Sequence, residues 1–374
     1  MLDNKRILIA AGGTGGHINP ALGTAGYIKE KNPSAEIVFV GTAEKMESKL
    51  VPQAGFELRT IKIQGFYRSF KWEDIKHNLK TLWLLLRSSS AVKKIIKDFK
   101  PDLVIGFGGY VSGPVLRMAA KMGIPTAIHE QNAFPGVTNK ALAGKVDRVM
   151  LTSEKAEQYM KPKNPVTVTG LPVRGDLLKG DGVSARAELG FEGKPLILSM
   201  GGSLGAKPIN DAVYGLIKNK CNDNDCIFLH ATGKNGTDFA QKLENDGIKL
   251  SEHKNIIITE YIDIPKYLPA ADLVICRSGA STLSELQATG KASILIPSPY
   301  VAENHQYHNA MALVNNNAAM IIEEKDLNSE KLTQTVNELL ANMDKLTQIG
   351  KNARKMAVID STERIYKTIC EIVK

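Results

Sequence analysis

Aromatic residues are scarce in this chain, at 6% of 374 residues with only two tryptophans. No basic run is interleaved with aromatics, so the stacking platforms of a nucleic-acid groove are missing and no nucleic-acid partner is expected. Cysteine is equally sparse. Cys221, Cys226, Cys276 and Cys370 are scattered, with no C-x-x-C pair and no histidine cluster beside them. That argues against a disulfide framework or structural zinc and predicts a reduced, cytosolic protein. No apolar stretch approaches the ~18–20 residues that span a bilayer. The opening Met1-Leu-Asp-Asn-Lys-Arg6 runs directly into a strand pattern, so no signal peptide is expected. Phosphate signatures are missing as well. There is no G-x-x-x-x-G-K-[ST], and counting from Gly13 through Gly15 puts Ile18 where a dinucleotide fingerprint needs its third glycine. The acid expected at the end of the second strand is also absent there, since Phe39-Val-Gly41 closes it and Glu44 arrives late. No D-x-D follows a strand, so metal-independent chemistry without a cofactor is expected.

What is present is an ordinary globular composition, 43% hydrophobic and 23% charged, in a chain long enough for two domains. The net charge of +9 favours anionic partners, either nucleotide phosphates or an acidic membrane face. Apolar strand-like runs at 6–11, 36–41, 102–109, 125–130, 148–151 and 166–170 alternate with helical stretches. After a turn-rich, polar connection at 170–193 a second series follows, at 195–203, 227–233, 256–260, 273–276 and 292–297, and the stretch from 329 to the end reads as helical. Strands separated by helices predict an α/β chain with two doubly wound parallel sheets.

The second series is organised around Leu273-Val-Ile-Cys-Arg-Ser-Gly-Ala-Ser-Thr-Leu-Ser-Glu285. Its buried strand breaks at a small-residue turn and restarts as a helix, which leaves N–H groups open at the carboxyl edge of a sheet, a ready anion site. Glu285 lies too far along to touch the same phosphate and suits neutral donors such as ribose hydroxyls. The competing reading makes Thr282-x-x-Glu285 a capping box. Glycine turns also follow strands at Gly12-Gly13, Gly108-Gly109 and Gly201-Gly202, two such turns in each half. Ligands of open α/β sheets bind outside the carboxyl ends of strands, so a cleft between two domains is expected. His17 heads the helix after the first glycine turn, as a candidate base or a ligand-positioning imidazole. His129-Glu-Gln-Asn132 ends another buried strand, where four polar residues point to a lined site.

Taken together, Gly12-Gly-Thr-Gly-Gly-His17, Gly108-Gly-Tyr-Val-Ser-Gly-Pro114, His129-Glu-Gln-Asn132, Gly201-Gly-Ser203 with Gly205-Ala206, Arg277-Ser-Gly-Ala280 with Ser284-Glu285, and Gln306-Tyr307 with Asn309-Ala310 resemble the MurG family of bacterial glycosyltransferases nearly end to end. The resemblance implies a GT-B fold with an acceptor-side domain at 1–172, completed by a returning helix at about 357–374, and a donor domain at 173–356. It implies inverting transfer of N-acetylglucosamine from UDP-GlcNAc to the C4 hydroxyl of the muramyl sugar of lipid I, forming lipid II. Gly201, Gly202 and Ser203 would face the diphosphate with Arg174 adding charge. Ala280, Ser281 and Thr282 would supply helix-start donors, Ile262 would hold uracil through its backbone, Glu285 the ribose and Gln306 the donor sugar. Thr14, Gly15, Gly16 and Asn132 would close over that sugar, and Gly108, Gly109 and Ser112 would take the acceptor diphosphate. Two positions depart from the family: Leu204 stands where a glutamine follows Gly-Gly-Ser, and His305 where the first of two glutamines is usual.

The acceptor hydroxyl needs a general base; His17 is the candidate and Glu130 the reserve. Because lipid I is membrane-anchored, the enzyme is expected at the cytoplasmic face of an anionic membrane, with cell-wall synthesis proteins as further partners. The stretch 74–99 is the docking candidate. Ile75, Leu79 and Leu82 share a helical face with Trp83 beside them, and Lys76 and Lys80 lie on its rim, against the alternative of an ordinary core-facing helix. Other UDP-GlcNAc enzymes of the same fold, an epimerase or a glycolipid glycosyltransferase, and a non-catalytic nucleotide-sugar-binding protein remain as alternatives.

Overall fold

The computed structural model describes residues 2–64, 88–173, 175–190, 193–223 and 225–373. Arg174 and the docking candidates Ile75, Lys76, Leu79, Lys80, Leu82 and Trp83 lie outside the described residues. The chain forms two compact units, Met1–Pro172 with Asp360–Lys374, and Val173–Ile359.

Among the described residues, the first unit carries a parallel sheet of β1 (Arg6–Ala10), β2 (Glu36–Gly41), β3 (Glu57–Thr60), β4 (Leu103–Gly106), β5 (Thr126–Glu130), β6 (Arg148–Leu151) and β7 (Thr167–Val168), in the order β3-β2-β1-β4-β5-β6-β7. Its central strands are apolar at successive positions because both faces are covered. Ile7, Ile9, Phe39, Leu103 and Ile105 pack on one side against the helix Gly15–Lys31, which buries Ile18, Ala21, Ala25 and Ile28 at helical spacing. Ile365 and Ile369 of the helix Ser361–Cys370 enter the same cluster, and the Tyr366 hydroxyl donates to Asn32 Oδ1 at 2.6 Å. The carboxyl-terminal helix thus returns to the first sheet, as the resemblance implies. Leu8, Ala10, Val38, Val40 and Val104 face the other way. There they meet Val92, Ile96 and Phe99 of the helical segment 88–99, so this part of the docking candidate is a core helix. Each such fully buried aliphatic side chain stabilises the unit by roughly 1.5–3 kcal/mol.

In the second unit β8 (Leu196–Met200), β9 (Ile227–Ala231), β10 (Ile256–Thr259), β11 (Leu273–Cys276), β12 (Ala292–Leu295) and β13 (Met320–Ile321) form a parallel sheet, ordered β10-β9-β8-β11-β12-β13. The order reverses direction between β8 and β11 here, and between β1 and β4 in the first unit. Such switch points are where open α/β sheets hold ligands.

Candidate active site

At the second unit's switch point, β8 and β11 are in register with Met200 opposite Cys276, so the loops beginning at Gly201 and Arg277 leave the sheet side by side. Gly202 has φ 98°, a conformation that favours glycine, and nothing lies within 4 Å of where a β-carbon would sit. Ser203 and Leu204 beside it are exposed. The backbone here is open to close approach by a ligand. On the β11 side, the helix Ala280–Thr289 starts after Gly279, which has no side chain to cap it. The N–H groups of Ala280, Ser281 and Thr282 therefore head a helix whose positive end is available to an anion. This start overturns the capping-box reading: Thr282 is the third helical residue and Glu285 the sixth, not the N-cap and its partner.

Glu285 is half-buried one and a half turns in, and Ile262 is half-buried in the loop that follows β10. A pocket of about 440 Å³ is lined by Gly201, Gly205, Lys207, Arg277, Tyr300 and Gln306. Gln306 Oε1 accepts from the Ser298 N–H at 2.9 Å and its carbonyl from the Ser278 hydroxyl at 2.8 Å, which turns its amide NH₂ to the pocket as a donor. Arg277 pairs with Glu324 and donates to the Ile296 carbonyl, so its charge is largely neutralised. His305, at the first family glutamine position, turns its Nδ1 to the Ala302 carbonyl at 2.8 Å.

In the first unit the two glycine turns have different fates. The Gly13 N–H donates to Glu47 Oε2 at 3.0 Å, while Glu47 Oε1 accepts from the Thr42 N–H and hydroxyl at 3.0 and 2.7 Å. A fully buried carboxylate thus takes up the Gly13 N–H, so that donor of the first glycine turn is already engaged within the fold. Glu47 was not among the residues singled out in the sequence. The second turn is filled too. Ser112 is fully buried, accepting the Gly108 N–H at 3.1 Å and lying 2.8 Å from the Gly108 carbonyl and 3.0 Å from that of Ala10. Its hydroxyl braces the turn and is not presented to an acceptor phosphate. That leaves the backbone at the start of the helix Gly109–Lys121, with Gly108 at its N-cap and no side-chain cap, as the remaining donors of this turn. Thr14 is the exposed N-cap of the helix Gly15–Lys31 and makes no side-chain cap bond, so its hydroxyl and the Gly15-Gly16 backbone head that helix.

His17 stands on the first turn of that helix, half-buried, its Nδ1 3.0 Å from Gln131 Oε1. Glu130 is a different case. Its carboxylate accepts from the Asn132 N–H and side chain at 2.9 and 3.1 Å, from the Gly136 N–H at 3.1 Å and from Asn139 at 2.8 Å, and the residue is 1% exposed. Four donors saturate a carboxylate. Glu130 therefore shapes the 131–139 loop and positions Asn132, and the reserve role of base does not fit it. His129 is fully buried, and desolvation pushes its pKa down to about 4. His230, buried in the second unit with Nδ1 2.8 Å from Ser199 Oγ, is pushed down to about 3 for the same reason. Unfolded histidines take up a proton near pH 6.5, and these two do not until far lower. Their contribution to stability is therefore complete above pH 6.5 and is lost as pH falls from there towards 4, by about 1.4 kcal/mol per pH unit for each ring. Urea unfolding at pH 7 and pH 5 should show the decline; equal stability at the two values contradicts neutral burial.

Residues 7–151 match the glycosyltransferase family 28 N-terminal domain and residues 196–365 the glycosyltransferase family 28 C-terminal domain. The chain is 46% identical to a UDP-N-acetylglucosamine–N-acetylmuramyl-(pentapeptide) pyrophosphoryl-undecaprenol N-acetylglucosamine transferase of Acetivibrio thermocellus, over 99% of this chain and 98% of that one. It is 44% identical to the transferase of the same name from Ruminiclostridium cellulolyticum, over 98% and 100%. The crystal structure of MurG from Acinetobacter baumannii matches with a TM-score of 0.78 at 29% identity, covering 98% of this chain and 99% of the other. A UDP-GlcNAc 2-epimerase from Neisseria meningitidis, at 13% identity and a TM-score of 0.63 over 98% and 100%, shares the fold alone. Similarity of this extent, over both glycine-turn sheets and the returning helix, is that of common descent, and the chain belongs to glycosyltransferase family 28, among its MurG transferases.

Proposed function

We propose that this chain transfers N-acetylglucosamine from UDP-GlcNAc to the C4 hydroxyl of the muramyl sugar of lipid I, with inversion, making lipid II for peptidoglycan. The observation that carries the chemistry is the paired loop geometry at the second switch point, an open Gly202 backbone beside the uncapped start of Ala280–Thr289. The UDP leaving group gains negative charge as the glycosidic bond breaks, and preorganised N–H groups with a helix dipole stabilise that charge. Arg174 adds to it. Glu285 binds the ribose hydroxyls, Ile262 the uracil through its backbone, and Gln306 donates its NH₂ to the sugar. In the first unit His17 takes the proton from the acceptor hydroxyl, Thr14, Gly15, Gly16 and Asn132 contact the donor sugar, and Gly108-Gly109 at the helix start meets the acceptor diphosphate. A single in-line displacement inverts the anomeric centre.

No helix among the described residues is long and apolar enough to cross a membrane. The lipid-linked acceptor and the net charge of +9 support docking at the cytoplasmic face of an anionic membrane through the segment with Ile75, Leu79, Leu82 and Trp83. Cell-wall synthesis proteins are further partners in this reading.

Replacing Glu285 by Ala removes a charged acceptor for neutral hydroxyls, an interaction of roughly 1.5–3 kcal/mol. UDP-GlcNAc should bind about 10- to 100-fold more weakly by calorimetry, with Glu303→Ala as the control; unchanged affinity would remove Glu285 from the donor site. The reaction class is tested by the fate of labelled donor. With UDP-GlcNAc alone the label should stay on the nucleotide and move only when a short-chain lipid I analogue is added. Epimerised or released sugar without acceptor would replace the transferase reading by the epimerase one.

A further inference from the structure

Gln131 lies just beyond β5, 3% exposed, between His17 and His129. The chain of contacts begins at Gly170, whose carbonyl oxygen is 2.8 Å from His129 Nε2. A carbonyl only accepts, so His129 carries its proton on Nε2. Burial keeps the ring neutral through the ordinary working range, so Nδ1 holds a lone pair. Gln131 Nε2 faces that lone pair at 3.3 Å, the Phe107 carbonyl at 2.8 Å and the His129 carbonyl at 3.1 Å. Three acceptors on one side admit only the NH₂ group; a flipped amide would set its oxygen against all three. The amide oxygen is thereby turned to His17 Nδ1, 3.0 Å away. An oxygen there calls for a donor. The Nδ1 edge of the ring also packs against Gly108, where a β-carbon would come within 2.7 Å of Nδ1, so this edge is held inside the fold. Among the described residues no hydrogen bond is made to Nε2 on the opposite edge.

We propose that Gln131, oriented by His129 and the Phe107 carbonyl, is a positioning residue that holds His17 in its Nδ1–H tautomer and leaves the Nε2 lone pair as the proton acceptor. The relay performs the service an aspartate provides in hydrolase triads, fixing tautomer and ring orientation, but with a neutral amide read from a buried neutral histidine. The proposal rests on the reading of His17 as the base only for its catalytic consequence; the tautomer itself is independent of it.

The test is a ¹⁵N spectrum of the full chain with labelled histidine, at a pH where His17 is neutral, its signals assigned by their loss in His17→Asn. His17 should show a protonated Nδ1 and a bare Nε2. Gln131→Met keeps the shape and removes the acceptor, so both tautomers should appear, with kcat down about 10-fold and the donor KM nearly unchanged. A protonated Nε2 in the wild-type protein, or an unaltered His17 spectrum in Gln131→Met, overturns the proposal. If the tautomer is as stated but His17→Ala keeps full activity, the base assignment fails and the tautomer assignment stands.

Discussion

His17→Ala is expected to lower kcat for transfer by about 10²–10⁴-fold, the usual worth of a positioned general base, while UDP-GlcNAc affinity changes by less than about twofold. The split follows from where the groups lie. The nucleotide contacts are assigned to loops of the unit Val173–Ile359, and His17 belongs to the other unit. The setting of the ring suits the proposed role. It sits half-buried on the first turn of its helix with Nδ1 engaged by Gln131, so Nε2 is the nitrogen left for a substrate proton. Glu130 cannot replace it because four donors already hold its carboxylate. Steady-state kinetics with saturating donor, and calorimetry with UDP-GlcNAc alone, measure the two sides. Near-normal kcat in the variant would take the proton-transfer role away from His17, and a large loss of donor affinity would move the residue to the nucleotide.

Glu47→Ala should destabilise the first unit by on the order of 3–5 kcal/mol, although the residue has no substrate role in this account. Its carboxylate is fully buried and accepts three hydrogen bonds, from the Gly13 N–H, the Thr42 N–H and the Thr42 hydroxyl. Truncation strands the buried Thr42 N–H and hydroxyl, frees the half-buried Gly13 N–H and opens a void beside Gly12 and Gly41. Gly12 and Gly41 already leave the space the side chain fills, since a β-carbon at either would come within 2.8 or 2.6 Å of it. Against a typical domain stability of about 5–15 kcal/mol this is a large fraction. Glu44, exposed three residues earlier, is the control and should change stability by less than about 0.5 kcal/mol. Urea unfolding of the two variants checks the difference; equal stability would mean that the first turn is not held by Glu47.

The central strands were legible because a sheet covered on both faces demands unbroken apolar runs, as in Ile7 to Ala10 and Leu273 to Cys276. The edges were not. Glu57-Leu-Arg-Thr60 is half-exposed, and Met320-Ile321 is only two residues long, so neither carries a periodic signal. The glycine turns identified the switch points, but which of their groups face outward depends on contacts made from far along the chain. Ser112 turns its hydroxyl to Ala10, 102 residues away in sequence, and Glu47 reaches back 34 residues to Gly13. Nothing in local spacing marks either. The motif His129-Glu-Gln-Asn132 was read as a lined site, and within it one signal was available. His129 and Gln131, two apart along a strand and its exit, share a face that Glu130 does not, which separates the relay from the carboxylate that shapes the loop.

The most direct test of the account is transfer of labelled N-acetylglucosamine from UDP-GlcNAc to a short-chain lipid I analogue in the presence of EDTA, with the anomeric configuration of the product determined. The account predicts transfer undiminished by the chelator and a β-linkage from the α-linked donor. Binding of UDP-GlcNAc with no transfer to the analogue, or a product that retains the donor's configuration, would contradict it.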